Sequence, residues 1–556
     1  MAGVGEDLPF SQYGLLAGDI SGTVDHETTD NRIFWNIPEP SSVFICGSQG
    51  SGKSHTLACL LENALAPCDA NTLPSPLGGM VFHYDRFMSN NSSSPCEVAW
   101  LSSSPDIHVR VLCAPTNIRT MEKIYGQFRN VKVEELRLRQ SDLNTERMLD
   151  LMAFTTDGST PLYVSVIDRV LRNMRERQQH SEETFSYTEF KNRLFSEHLS
   201  KRQLAPLTQR LETLESFMVE DDAKEIFMVE DDAKEIFMVE DDGKVFNLSA
   251  GKRKGPELFA KQRKRAKMAR PARKNQKGGD SEDSEDSEDS GDEDSEDSED
   301  SEDNGDNGDN GDNKDNKDNE DNKDNEDNKD NEDNGNWREA RHGNLTIVDL
   351  SCPFVTAELA CSLFNICLSL FLETKSDVGR VIALDEAHKY MGKSAGCGKL
   401  TDRLLSTISL QRHLGARIII STQDPTICPK LLELSYVTVV HRFTSPDWLR
   451  TTLRIHVATP NPFLMQGGSG EEDEVDGARP LSLGDGDPAK ELFSRIVTLR
   501  VGEALLFAPT AIIAVKKGKT DGAGASATNL KKLDLGVLKV QVRNRITADG
   551  GRSIMA

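Results

Sequence analysis

The chain has 556 residues, a net charge of −25 and a mean hydropathy of −0.51, with 37% hydrophobic and 6% aromatic residues; at about 150 residues per domain its length would allow three or four domains. Those averages are set by one stretch, residues 280–336, which has no apolar side chain and carries 29 Asp and Glu against 4 Lys, so the rest is rich enough in apolar residues to bury a large core. Outside that stretch and the basic block before it the balance is mildly acidic, which excludes a global electrostatic reason to bind nucleic acid and confines any such binding to local patches.

Residues 1–40 form an N-terminal segment. It lacks the basic start and apolar run of a secretory signal, so an intracellular protein is expected. Over 41–216, and again over 340–515, apolar runs of strand length alternate with helical periodicity, which predicts an α/β domain around a mostly parallel central sheet. The first such run, Ser41 to Cys46, leads into Gly47-Ser48-Gln49-Gly50-Ser51-Gly52-Lys53-Ser54 and a helical pattern from His55 to Leu65. This is a GxxxxGKS P-loop between strand and helix. Gly47, Gly50 and Gly52 let backbone N–H groups turn inward around phosphates, and the helix start at Lys53, Ser54 and His55 adds positive potential. Lys53 is placed to reach the β and γ phosphates of ATP, and Ser54 to ligate Mg²⁺. Basic residues further along, such as Arg110, Arg119, Lys123 and Arg129, are scattered and assign no polymer-contacting loop.

An interruption follows. Residues 217–250 carry a tandem decamer, FMVEDDAKEI at Phe217 to Ile226 and again at Phe227 to Ile236, with a decaying third copy from Phe237. Ten residues are too few for a stacking solenoid unit, so the repeat reads as passive. Residues 251–279 are basic, with clusters at 252–254 and 261–267 that fit a nuclear-import signal, a phosphate-binding arm or a solvated linker. Residues 280–336, built of SED, DNG, DNK and DNE triplets, are expected to be disordered. The whole 217–340 region is expected to leave the core undisturbed.

The α/β pattern then resumes with a strand over Leu345 to Ser351 and a buried helix over Leu359 to Leu372, which is shorter than the roughly 20 apolar residues a membrane span needs and carries Asn365 in its middle. Val381 to Leu384 is a buried strand ending in Asp385 and Glu386 and reads as Walker B. An apolar strand beside the P-loop strand would bring Asp385 to the Mg²⁺ shell and Glu386 to the attacking water as general base. A helix over Leu400 to Leu414, closed by Gly415 as C-cap, carries Arg412, which could stabilise transition-state charge on a neighbouring subunit, with Arg417 the lesser candidate. The strand Ala416 to Thr422 ends at Gln423, a candidate γ-phosphate sensor. Residues 516–556 are a C-terminal extension. The ten cysteines show no CxxC or Cys/His metal spacing and are expected to be reduced thiols.

This order of motifs, with ALDEAHKYM, QRHLGAR, IISTQDP and a closing GEALLFAP at Gly502 to Pro509, resembles the HerA/FtsK superfamily of P-loop ATPases, on its HerA side. The resemblance covers nearly all of the chain outside 217–340 and the last forty residues. It implies a RecA-like P-loop NTPase fold with a helical insertion, a homo-oligomeric ring (a hexamer) with nucleotide between subunits, and ATP-driven translocation of double-stranded DNA or another polymer. It assigns Lys53 and Ser54 to the nucleotide, Asp385 and Glu386 to Walker B, Gln423 to the sensor and Arg412 to the arginine finger. Family members often carry a small β-barrel before the ATPase, and only about forty residues precede this P-loop. The DEAH string does not make an RNA helicase, since about 170 residues after Asp385 leave no room for a second RecA-like domain, and no LSGGQ-like signature precedes Walker B as in transporter ATPases. The alternative is an ATP-gated regulatory or scaffolding P-loop protein with slow, DNA-independent hydrolysis.

Overall fold

The computed structural model describes residues 10–21, 31–86, 94–152, 162–180, 184–219, 336–392, 395–450, 488–517, 528–533 and 536–548. Its strands are β1 (Tyr13–Asp19), β2 (Arg32–Asn36), β3 (Ser42–Cys46), β4 (Asn71–Thr72), β5 (Gly78–His83), β6 (His108–Cys113), β7 (Val131–Glu135), β8 (Asn344–Asp349), β9 (Arg380–Leu384), β10 (Ala416–Thr422), β11 (Val437–Val440), β12 (Glu503–Phe507), β13 (Ile512–Lys517), β14 (Thr528–Lys532) and β15 (Leu538–Val542). Thirteen of them make one sheet in the order β2-β1-β15-β12-β11-β3-β10-β9-β5-β8-β6-β7, with β4 on β1; β13 and β14 pair separately. From β11 to β7 every pairing is parallel, and from β11 to β2 every pairing is antiparallel.

The parallel half is covered on both faces, which is why its central strands read as unbroken apolar runs. Successive residues of a strand point to opposite sides. Phe44, Phe82, Ile382, Ile418 and Ile420 enter one core, and Val43, Ile45, Val81, Val381 and Ile419 the other. The second core is closed by helix α1 (Lys53–Leu65) through Leu57, Leu60 and Leu61. The first is closed by the helix Ala357–Glu373 through Leu363, Phe364 and Cys367, and by the helices Thr145–Met152, Leu162–His180, Tyr187–Ser196 and Lys201–Glu215. Each of these fully buried Leu or Phe side chains contributes roughly 1.5–3 kcal/mol. The expected buried helix is thus present, and Asn365 is accommodated in it by donating to Asp150 Oδ2 at 2.6 Å, with Lys399 on the other Asp150 oxygen at 2.8 Å. Among the described residues, no helix is long and apolar enough to cross a membrane.

Several expectations change. The Walker B strand β9 does not lie beside the P-loop strand β3, because β10 pairs in parallel with both and separates them. The sheet also runs past the bounds 41–216 and 340–515, since β1 and β2 come from the N-terminal segment and β15 from the C-terminal extension. An apolar edge at β12 would otherwise stand unpaired. The helix expected over Leu400 to Leu414 is two, Ala395–Ser409 and Gln411–Leu414, broken at Leu410. Gly415 caps the second in the left-handed region at φ 58°, as expected.

Nor does the region 217–340 leave the core alone. Phe217 and Met218 are buried in it, Arg137 donates to the carbonyls of Ser216 and Met218, and Leu138 exchanges backbone hydrogen bonds with Phe217 and Val219. On the return, Ala340 is buried, Trp337 packs on the core and Arg338 pairs with Asp142. The other decamer copies, the basic clusters and the acidic tract lie outside the described residues.

Candidate active site

The parallel strands β3, β10 and β9 are neighbours, so their carboxyl ends deliver the P-loop, Gln423, and Asp385 with Glu386 to one edge of the sheet. That edge is where open α/β sheets bind ligands. After Cys46 the chain turns through Gly47, Gly50 and Gly52, at φ 155°, 70° and 112°. A Cβ on Gly47 would sit 2.7 Å from His441 Cβ and 2.8 Å from Ser51 Oγ, so this position excludes any side chain. Helix α1 then starts at Lys53, aiming its N-terminal N–H groups at the loop.

Lys53 is buried. Its Nζ donates to Ser48 O within the loop at 3.1 Å and lies 4.0 Å from Glu386 Oε1. Burial lowers its pKa, and the carboxylates of Glu386 and Asp385 work against that lowering. Glu386 is the one described non-glycine residue with positive φ, at φ 48° and ψ 44°. Such a conformation costs of order 1–3 kcal/mol and persists only where the surroundings enforce it. Here the carboxylate is held by Gln423, whose Nε2 donates to Oε2 at 2.9 Å. The intervening strand β10 therefore has a chemical role: it carries the residue that reaches across to the base.

Asp385 is fully buried. Both of its donors converge on one oxygen: His83 Nδ1 lies 3.0 Å from Oδ2 and Cys96 Sγ 3.7 Å from it. The other oxygen, Oδ1, is buried with no hydrogen-bond partner. Burial would raise the Asp385 pKa, but donation from His83 and the charges of His83 and Lys389 bring it below the usual carboxylate value. For His83 burial disfavours a charged ring, yet Cys96 beside it, with the Asp349 and Asp385 carboxylates, outweighs that and raises its pKa well above the ordinary histidine value. An unpartnered buried carboxylate oxygen beside a P-loop fits a hard cation with oxygen ligands, so Asp385 and Ser54 are residues that would hold Mg²⁺.

Two histidines at this edge carry roles that sequence reading did not assign. His388 Nδ1 lies 3.3 Å from Glu386 Oε2 and 3.4 Å from the Gln423 backbone N–H. Protonated there it donates to the carboxylate; otherwise it accepts from the backbone. It sits in the DEAH string, three residues after Asp385, and spacing alone does not show which way it turns. His441, just past β11, is fully buried beneath the P-loop. Its Nδ1 meets Glu503 O at 3.0 Å and can only donate there, so Nε2 accepts from Thr56 Oγ1 at 2.9 Å. Burial, with Lys53 and His55 nearby, takes its pKa down to about 4, so it is neutral. A lone His ending an apolar run carries no sequence signal for that contact.

The remaining expected residues lie apart from this cluster. His55 directs its ring Nε2 to Arg543 O, 2.8 Å away. Arg412 is exposed and pairs with Glu39 at 3.0 Å rather than with a residue of the cluster. Arg417 is excluded as a mobile finger. It is buried, and its guanidinium is spent on the carbonyls of Ile37, Gly415 and Pro38, with burial lowering its pKa to about 10.

Loop, strand order and paired carboxylates together define a P-loop α/β fold with a nucleotide-type site. No protein-family model and no curated protein matches the chain. Among solved structures, VirB4 of Thermoanaerobacter pseudethanolicus is similar at 10% identity and a TM-score of 0.40, over 91% of this chain and 96% of that one.

Proposed function

We propose that the protein binds ATP with Mg²⁺ and hydrolyses it to ADP and phosphate. The observation that supports this reading best is the contact of Glu386 with Gln423 at 2.9 Å and with Lys53 at 4.0 Å, three groups from three adjacent strand ends. In this reading Lys53 leaves Ser48 O for the β and γ phosphates and neutralises charge that develops in the transition state. Glu386 orients and deprotonates the attacking water, and Gln423 holds it in line. Bound Mg²⁺, held by Ser54 and Asp385, would supply charge neutralisation on the phosphate oxygens. At the finer level we read the chain as a ring-forming motor of HerA/FtsK type acting on double-stranded DNA, with Arg412 reaching a neighbouring subunit's nucleotide. The motif order and the exposure of Arg412 support this.

Steady-state ATP hydrolysis by the full chain with and without double-stranded DNA tests both levels, with Glu386→Gln as control. Hydrolysis lost in the variant supports the ATPase, and several-fold stimulation by DNA supports the motor. A slow rate indifferent to DNA overturns the motor in favour of an ATP-gated switch. A rate equal in both proteins overturns the catalytic assignment.

A further inference from the structure

Three ligand atoms of different chemistry meet behind the Walker B aspartate. His83 ends β5, Asp385 follows β9, and Cys96 precedes the 3-10 turn Glu97–Ser103, so the three come from separate parts of the chain. His83 Nδ1, Cys96 Sγ and an Asp385 carboxylate oxygen lie within 4.8 Å of one another, and all three residues are buried. The distances to Oδ2 are 3.0 Å from the nitrogen and 3.7 Å from the sulfur. Donors bound tetrahedrally at 2.0–2.3 Å stand about 3.5 Å apart, so these atoms need move little to share one ion. Among the described residues no other His, Cys, Asp and Glu group meets this condition.

The donor set decides which ion. Mg²⁺ takes oxygen ligands in a near-ideal octahedron, whereas imidazole nitrogen with thiolate sulfur and one carboxylate oxygen selects a borderline-soft divalent ion. One further observation fits a ligand: the backbone of Cys96 is held, its N–H donating to Tyr125 Oη at 3.0 Å while that hydroxyl donates to Asp349 Oδ2 at 2.6 Å. Outer partners of this kind fix ligand orientation.

We propose that His83, Cys96 and Asp385 form a binding site for a divalent cation of the zinc type, with water as the fourth ligand. The Cys96 thiol proton and the His83 Nδ1 proton leave to solvent as the ion binds. Because the site shares the Asp385 carboxylate with the magnesium position, Oδ2 serving one and Oδ1 the other, occupancy draws charge from that carboxylate and weakens its hold on Mg²⁺. Only this last consequence rests on the ATPase reading.

The test uses the full chain, stripped of metal, without nucleotide or Mg²⁺. Zn²⁺ is titrated against a chromophoric chelator, and Co²⁺ is titrated while the near-ultraviolet thiolate-to-cobalt band is followed. One equivalent is expected. Cys96→Ser should abolish the band, and His83→Gln, which removes a ligand, should weaken binding by more than the roughly 10- to 100-fold that loss of an outer partner costs. Cys397→Ser, which removes the other close thiol pair, Cys361 and Cys397 at 3.3 Å, should leave both intact. Absence of a stoichiometric equivalent, or a band that survives Cys96→Ser, overturns the proposal. If Cys96→Ser does not fold, His83→Gln decides: unchanged affinity overturns it, and weakened affinity with the band retained supports it. Zn²⁺ should then slow ATP hydrolysis at saturating Mg²⁺ in the wild-type chain. A chain that binds the ion yet hydrolyses no ATP would refute the ATPase reading and leave the site standing.

Discussion

Helix α1 runs between two buried acidic sites that are treated in opposite ways. At its start, Asp385 keeps an unpartnered oxygen and Glu386 is held in a strained backbone conformation. Near its end, Glu62 is saturated: Arg543 lies 2.8 Å from one oxygen, and the Thr547 backbone N–H donates to the other at 3.0 Å, where the Thr547 hydroxyl also donates. Burial alone would raise the Glu62 pKa, and these donors bring it below the usual value. A saturated buried carboxylate fastens the C-terminal segment to the helix, whereas an unsaturated one holds ligand capacity in reserve.

The contrast breaks if the two sites respond alike to substitution. Glu386→Gln should lower ATP hydrolysis about 10²- to 10⁴-fold with little change in melting temperature, read by phosphate release and thermal denaturation. Glu62→Gln should do the reverse, costing about 3–5 kcal/mol of stability in denaturant titration because Arg543 loses its buried counter-charge, while Arg545 keeps Glu97 as its carboxylate partner. Gln423→Ala, which removes the amide donor from the Glu386 carboxylate, should lower hydrolysis about 10- to 100-fold with unchanged nucleotide affinity, measured by kinetics and by equilibrium binding.

Acid sharpens the comparison further. His441 has a folded-state pKa depressed to about 4 from 6.5. The unfolded chain therefore binds the extra proton first, and stability attributable to this residue is full above pH 6.5 and declines as pH falls towards 4. The loss is at most about 3 kcal/mol, and His441→Asn should flatten it in denaturation curves between those values. Glu62 adds a loss at lower pH, because its depressed carboxylate pKa contributes stability that is full above the unfolded value and lost as pH falls through the folded one. Smallest of all, Arg412→Ala should change stability by no more than about 0.5 kcal/mol, since its pair with Glu39 is exposed. A drop in hydrolysis in that variant would then report a neighbouring subunit.

The P-loop, the Walker B pair and Gln423 were legible in the sequence because each ends a strand buried on both faces, and such strands are unbroken apolar runs. The insertion of β10 between β3 and β9 was not legible, since strand order in a parallel sheet depends on crossovers that leave no local trace. The flank of β1, β2 and β15 was missed for another reason. Its strands mix buried, half-buried and exposed residues irregularly over only five to seven positions, a pattern too short to separate from loop. His83 and Cys96 lie far from Asp385 in the chain, and nothing in their spacing predicts that they meet at one oxygen.

The first decamer is rooted in the protein interior by Phe217 and Met218, whereas the later copies repeat the same dipeptide at 227–228 and 237–238. Replication slippage can therefore add or delete whole units downstream of the first copy while Phe217 and Met218 keep their places in the interior, with the unit of ten as its step.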